Sequence, residues 1–203
     1  MAERIGILGG SFDPVHYAHL LLAETARETL RLDAVWFIPA ASPPHKVGRR
    51  LAAAEHRVEM LKLAIADHRQ LSVQTLEIDR GGTSYTVHTL EECHQRVPGA
   101  EFFLIVGADM LHDLPNWYQP QRICELAVIA CAHRPASPPP DLTRLASVVS
   151  ERRLSEFAAA TMAMPQIELS STDLRQRVLE GRSIRYRTPR AVECYIAAQG
   201  LYR

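Results

Sequence analysis

The chain has 203 residues, with 23 basic and 23 acidic side chains, nine histidines and a pI near 7.1. No global field therefore draws it to DNA, RNA or an anionic membrane, and any basic site is local. No apolar run reaches the roughly 20 residues that span a bilayer, no signal-peptide h-region follows Met1-Ala2-Glu3-Arg4, and Cys93, Cys124, Cys131 and Cys194 lack CxxC spacing, which predicts reduced thiols in a cytoplasmic protein.

The length suits a single domain over 1–203. In chain order, Ile5–Leu8 reads as a short buried strand and is followed at once by the run Gly9-Gly10-Ser11-Phe12-Asp13-Pro14-Val15-His16-Tyr17-Ala18-His19-Leu20. Apolar spacing then predicts a helix over Ala18–Arg31, a strand over Ala34–Ile38 and a helix over Ala53–His68. Further strands are expected at Leu71–Ile78, Phe102–Val106, Leu126–Ala132 and, with a weaker pattern, Gln166–Leu169. Further helices are expected at Tyr85–Arg96, Asp141–Arg153, Thr172–Glu180 and Pro189–Gln199, the last with its proline in the first turn. Ala40–Arg50, Ala108–Gln121 and the Pro-rich Arg134–Pro140 read as loops.

This β–α alternation implies an α/β fold, a doubly wound parallel sheet with a small C-terminal helical part over 170–203. Ligands in such sheets collect beyond the carboxyl ends of the strands. Gly9 and Gly10 follow the first strand, Pro39–Lys46 the second, Gly107-Ala108-Asp109 the fourth and His133-Arg134 the fifth. One rim thus gathers glycines, histidines, a lysine, an arginine and an aspartate.

His16 and His19 share a helical face where a glycine pair hands a strand to a helix, a place that suits a polyphosphate. Two other readings stand beside that one: polar residues on an exposed face, or half of a zinc site that wants further ligands. For Lys46, Asp109 and Ser170–Arg175 the ordinary readings are a solvated lysine, an N-cap and a capped helix. Trp117 sits beside proline and asparagine in a loop, where an indole can serve as a stacking platform.

Together these segments resemble the nicotinate-mononucleotide adenylyltransferase family, within the nucleotidyltransferase superfamily that carries a His-x-Gly-His motif. The run 9–20 matches the superfamily. Pro43-Pro44-His45-Lys46, Ser84-Tyr85-Thr86, Gly107-Ala108-Asp109, Trp117, Arg134-Pro135, Ser170-Ser171-Thr172 with Arg175, and Tyr186 with Pro189 match the branch. Ala18 replaces the family glycine between the histidines, and Arg187-Thr188 replace residues that are usually aliphatic.

The resemblance implies a Rossmann-like fold and adenylyl transfer from ATP, with Mg2+, to nicotinate mononucleotide. His16, His19, Lys46 and Arg175 would be catalytic. ATP would meet Gly9, Gly10, Ser11 and Phe12 with the histidines, then Gly107 and Asp109, then Ser171, Thr172 and Arg175, so that 170–203 completes its site. Nicotinate mononucleotide would meet Ser11 and Lys46, Ser84 to Thr86, Trp117 with Tyr118, and Arg134. Nucleic acid and membrane are not expected as partners, and a homo-oligomer stays open. Rival readings are another acceptor (nicotinamide mononucleotide or phosphopantetheine), a nucleotide sensor without catalysis, and a zinc hydrolase.

Overall fold

The computed structural model describes residues 2–42, 51–133 and 140–203. Its strands are β1 Arg4–Gly10, β2 Ala34–Pro39, β3 Leu71–Val73, β4 Glu101–Gly107, β5 Val128–His133 and β6 Met162–Ala163. They form one sheet in the order β3-β2-β1-β4-β5-β6, with every pairing parallel. Between and after them come α1 Tyr17–Thr29, α2 Ala54–Ala64, α3 Leu76–Arg80, α4 Thr86–Arg96, α5 Ala108–Asp113, α6 Pro120–Leu126, α7 Glu151–Ala159, α8 Ser171–Leu179 and α9 Arg190–Ala198. No helix among the described residues is long and apolar enough to cross a membrane.

The central strands explain the sheet. Ile5, Ile7 and Leu8 of β1 and Phe102 to Val106 of β4 are each at most 4% exposed. Such unbroken apolar runs are what a parallel sheet needs when helices cover both faces. Strand numbers climb outward in both directions from the β1–β4 boundary, and parallel crossovers are right-handed, so the two halves place their helices on opposite faces. The boundary is the switch point of the sheet. Register along it pairs Ile7 with Leu104, and the same offset sets Gly10 level with Gly107. α9 packs on α2, and α4 packs on α6.

Five expectations from sequence are corrected. The strand over Leu71–Ile78 stops at Val73, and Leu76–Arg80 is helical. Its alternating pattern is broken where Leu76 and Glu77, neighbours in sequence, are both buried and Glu77 accepts the Thr89 hydroxyl at 2.7 Å. Gln166–Leu169 is not a strand; the sixth strand is Met162–Ala163, paired with Ala132 and His133. The helix expected over Asp141–Arg153 divides into a 3-10 turn, Leu142–Leu145, capped by Asp141, and α7, capped by Ser150. Ala108–Gln121 is not loop throughout: it holds α5, a 3-10 turn at Leu114–Asn116 and the start of α6. Elements of six or seven residues are too short to leave a period. At the end of the chain Pro189 is the N-cap of α9, not its first helical residue.

One buried cation ties the rim together. Arg57 in α2 is 2% exposed. Its guanidinium donates to the carbonyls of Ala52 at 3.1 Å, Ser11 at 3.0 Å and Ala40 at 2.8 Å. Burial pushes its pKa down, and the Asp13 carboxylate pushes it back up. Arg57→Ala leaves those acceptors without a donor at roughly 1–3 kcal/mol each. Urea unfolding of that variant is expected to lose at least about 3 kcal/mol, and Arg57→Lys, without the planar fork, to recover only part of the loss.

Candidate active site

The segment from Gly9 to His19 builds the floor of the site. A Cβ placed on Gly9 or Gly107 would meet no described atom within 4 Å, whereas one on Gly10 would stand 2.9 Å from the Phe12 ring. The two glycines of the pair therefore differ: Gly9 opens space, and Gly10 admits an aromatic ring. Phe12 sits at φ 47°, in the left-handed region, and is 1% exposed. Its ring lies edge-on to His19 at 5.1 Å and against Phe37 at 5.6 Å. Only its main chain is left to face a ligand.

His16 is the N-cap of α1, just outside the helix, with extended backbone. Its ring nevertheless stacks on that of His19, with centroids 3.7 Å apart and planes 15° from parallel. The His16 main-chain N–H donates to His19 Nδ1 at 3.2 Å. A backbone N–H only donates, so His19 Nδ1 accepts and the neutral ring carries its proton on Nε2. His16 is 5% exposed, and its Nδ1 is buried with no hydrogen-bond partner. Burial lowers its pKa to about 4. No acidic residue occupies the first turn of α1, so the positive end of the helix dipole is left uncancelled locally.

α8 closes the site from the far end of the chain. Ser170 caps it by accepting the Asp173 N–H at 3.1 Å. The Ser171 hydroxyl donates to the Pro14 carbonyl at 2.8 Å, and Arg175 Nη1 donates to the Asp13 carbonyl at 2.7 Å. Arg175 Nη2 also reaches the exposed Thr172 hydroxyl at 3.3 Å. Ahead of α9, Thr188 donates to the Val15 carbonyl at 2.7 Å, and the Tyr17 N–H reaches the Arg187 carbonyl at 3.2 Å. Ser171 and Arg175 are thus brought to the histidine turn, with Thr172 beside Arg175.

The third group gathers at the start of α4. The Ser84 hydroxyl accepts the N–H groups of Ala41 at 3.0 Å and Ser42 at 3.4 Å, locking this segment to the end of β2. Tyr85 caps α4, Thr86 begins it, and the Tyr85 ring meets that of Tyr118 at 4.8 Å. His88 lies edge-on to both tyrosines at 5.8 Å. Trp117 follows the 3-10 turn and is half-buried against the core. Gly107 is the N-cap of α5, and Asp109 stands in its first turn with an exposed carboxylate, so the aspartate is not the cap. Lys46 and Arg134 lie outside the described residues.

Sequence reading missed the frame behind these groups. Asp13, Arg57, Thr188 and Tyr202 hold the histidine turn, yet their partners lie tens to hundreds of residues away. Asp13 offered a signal, being a charged residue inside a motif, and Thr188 offered one as a departure from the family's aliphatic pattern, while Arg57 and Tyr202 offered none. Among the described residues, no group of three or more His, Cys, Asp or Glu side chains could hold a metal ion.

The depressed pKa of His16 makes stability depend on pH. Below about pH 6.5 the unfolded chain takes up a proton at this ring, while the folded protein refuses it until about pH 4. Stability is therefore lost on acidification through that window, by about 2 kcal/mol between pH 7 and pH 5. Urea titrations at both values are expected to show that loss in the wild type and a smaller one in His16→Gln.

Comparison with known proteins follows the same lines. The family model described as cytidylyltransferase-like matches residues 7–177. A protein of Roseiflexus sp. (strain RS-1), named "probable nicotinate-nucleotide adenylyltransferase", is 48% identical over 202 residues, covering 98% of this chain and 98% of that protein. A protein of the same name from Thermus thermophilus is 44% identical over 200 residues, covering 98% of this chain and 100% of the relative. The solved structure of Plasmodium falciparum nicotinic acid mononucleotide adenylyltransferase, complexed with NaAD, shares the fold. It superposes at TM-score 0.75 and 18% identity, covering 98% of this chain and 97% of that one. A match of this extent, in sequence and in fold, means that the chain belongs to the nicotinate-nucleotide adenylyltransferase family of cytidylyltransferase-like proteins.

Proposed function

We propose that this protein, working in the cytoplasm, joins ATP, as its magnesium complex, to nicotinate mononucleotide. The products are nicotinate adenine dinucleotide and pyrophosphate, in a step of NAD synthesis. One observation carries the reading. Two stacked imidazoles and the Arg175 guanidinium converge on a turn whose neighbouring strand ends, at Gly9 and Gly107, are bare. That is a cradle for a polyphosphate at the switch point of the sheet.

The reaction then follows from charge. A phosphate oxygen of nicotinate mononucleotide attacks the α-phosphorus of ATP, and the bond to the bridging oxygen breaks, its electron pair leaving with pyrophosphate. The attacking oxygen is already ionised near pH 7, so no general base is required. The protein's task is to hold two anions in line and to meet negative charge as it moves. His19 donates from Nε2, and the neutral ring of His16, stacked on it, adds a second donor by family resemblance. Arg175 faces the departing β- and γ-phosphates from α8, assisted by Ser171 and Thr172, so residues 170–203 complete the ATP site of a single domain. Magnesium bound to the triphosphate would supply neutralisation of its charge.

Nicotinate mononucleotide occupies the other side of the rim. The contact between Tyr85 and Tyr118 joins the segment 84–86 to Trp117 and Tyr118, which supports a shared subsite for the pyridine ring and its carboxylate. Asp109 accepts a ribose hydroxyl. By family resemblance, Lys46 and Arg134 add cations near the acceptor phosphate.

Pyrophosphate release from ATP tests the reading, with nicotinate mononucleotide, nicotinamide mononucleotide and phosphopantetheine as rival acceptors. The first is expected to give the highest kcat/KM. ATP binding without release on any acceptor, or a preference for phosphopantetheine, overturns the assignment. His19→Ala is expected to lower kcat at least about 100-fold, as loss of a transition-state donor does, with the circular dichroism spectrum unchanged. Turnover near that of the wild type would remove His19 from the chemistry.

A further inference from the structure

The Asp13 carboxylate is fully buried beside the histidine turn. Its Oδ1 accepts the Tyr202 hydroxyl at 2.7 Å and the Ala52 N–H at 3.2 Å. Its Oδ2 is buried with no hydrogen-bond partner and stands 3.7 Å from Arg175 Nη1. That same Nη1 is spent on the Asp13 main-chain carbonyl at 2.7 Å. A buried carboxylate next to a guanidinium ordinarily closes on it as a two-bond fork. Here it does not, and the other oxygen is held by the Tyr202 hydroxyl and the Ala52 N–H.

We propose that Tyr202 is a positioning residue: its hydroxyl holds Asp13 away from a bidentate pair with Arg175 and so keeps that guanidinium turned to the triphosphate. The proposal rests on the reading of Arg175 as a phosphate-binding group. Tyr202 suits the task because it stays a donor. Burial and, after it, the charge of Asp13 push the phenol pKa well above its ordinary value. Its neighbour on α9, Tyr195, provides an internal contrast. Tyr195 also carries a hydroxyl to α2, meeting His56 Nδ1 at 2.9 Å, but that hydroxyl is not among the hydrogen-bond partners of Asp13 or Arg175. If the C-terminal helices needed only to be docked, both hydroxyls would matter alike.

The test compares Tyr202→Phe with Tyr195→Phe in the full chain, by calorimetric titration of ATP and by steady-state kinetics. Tyr202→Phe is expected to melt close to the wild type, to bind ATP about tenfold more weakly and to lose kcat by a similar factor, with the acceptor KM within twofold. Tyr195→Phe is expected to stay within twofold throughout. Asp13→Asn combined with Tyr202→Phe is expected to restore ATP affinity to within about threefold, since a neutral amide does not draw in the guanidinium. Equal ATP affinity for Tyr202→Phe and wild type overturns the proposal. So does an equal loss in Tyr195→Phe, or a double variant that stays weak. A wild type without turnover overturns the assigned reaction instead, and the ATP titration still reports on Tyr202.

Discussion

Between Gly10 and Tyr17 the main chain has left a strand and not yet entered a helix, so its carbonyls have no partners in regular structure. The turn is nonetheless buried from Phe12 to His16, and buried carbonyls must be satisfied. Side chains supply the donors: Arg57 to Ser11, Arg175 to Asp13, Ser171 to Pro14 and Thr188 to Val15. The imidazoles stack where they do because this turn is fixed on both sides. Loops normally avoid the interior for want of such partners, and this one is held inside by four residues from two distant parts of the chain.

The same device concentrates positive charge without a globally basic protein. Arg57 is consumed in holding the frame, whereas Arg175 is tied to the turn through Nη1 and to Thr172 through Nη2 and still faces outward in part, its side chain 24% exposed. His16 is neutral at working pH because the low-dielectric surroundings reject its charge, and His19 takes its tautomer from a main-chain N–H. Among the described residues the turn therefore combines the Arg175 cation with neutral imidazoles, a mixture suited to anions without ring protonation.

How legible this was depended on range. The strand-to-helix motif, the four longest strands and the major helices could be read because their signals are local: unbroken apolar runs, a glycine pair, a proline or serine at a helix start. β6 could not, since two residues carry no period, and α5 and α6 were hidden by their brevity. Residues that meet ligand by family likeness were legible as motif members. Those that hold the motif in shape were not, because the bond from Thr188 to Val15 spans 173 positions and that from Tyr202 to Asp13 spans 189. Ser171 and Ser84 show the intermediate case: each was legible as a site residue, yet its hydroxyl is also committed to the protein's own backbone.

Those separations bear on how the protein comes to life. A ribosome delivers the histidine turn ahead of the residues that hold it: Ser171, Arg175 and Thr188 emerge some 150 residues later or more. Until they do, the carbonyls of Asp13, Pro14 and Val15 are left to water, and contacts of such long range are slow to form. The nascent chain therefore carries a sheet able to assemble before the turn beside it takes its final shape. Synthesis and competence are separated in time by the topology itself.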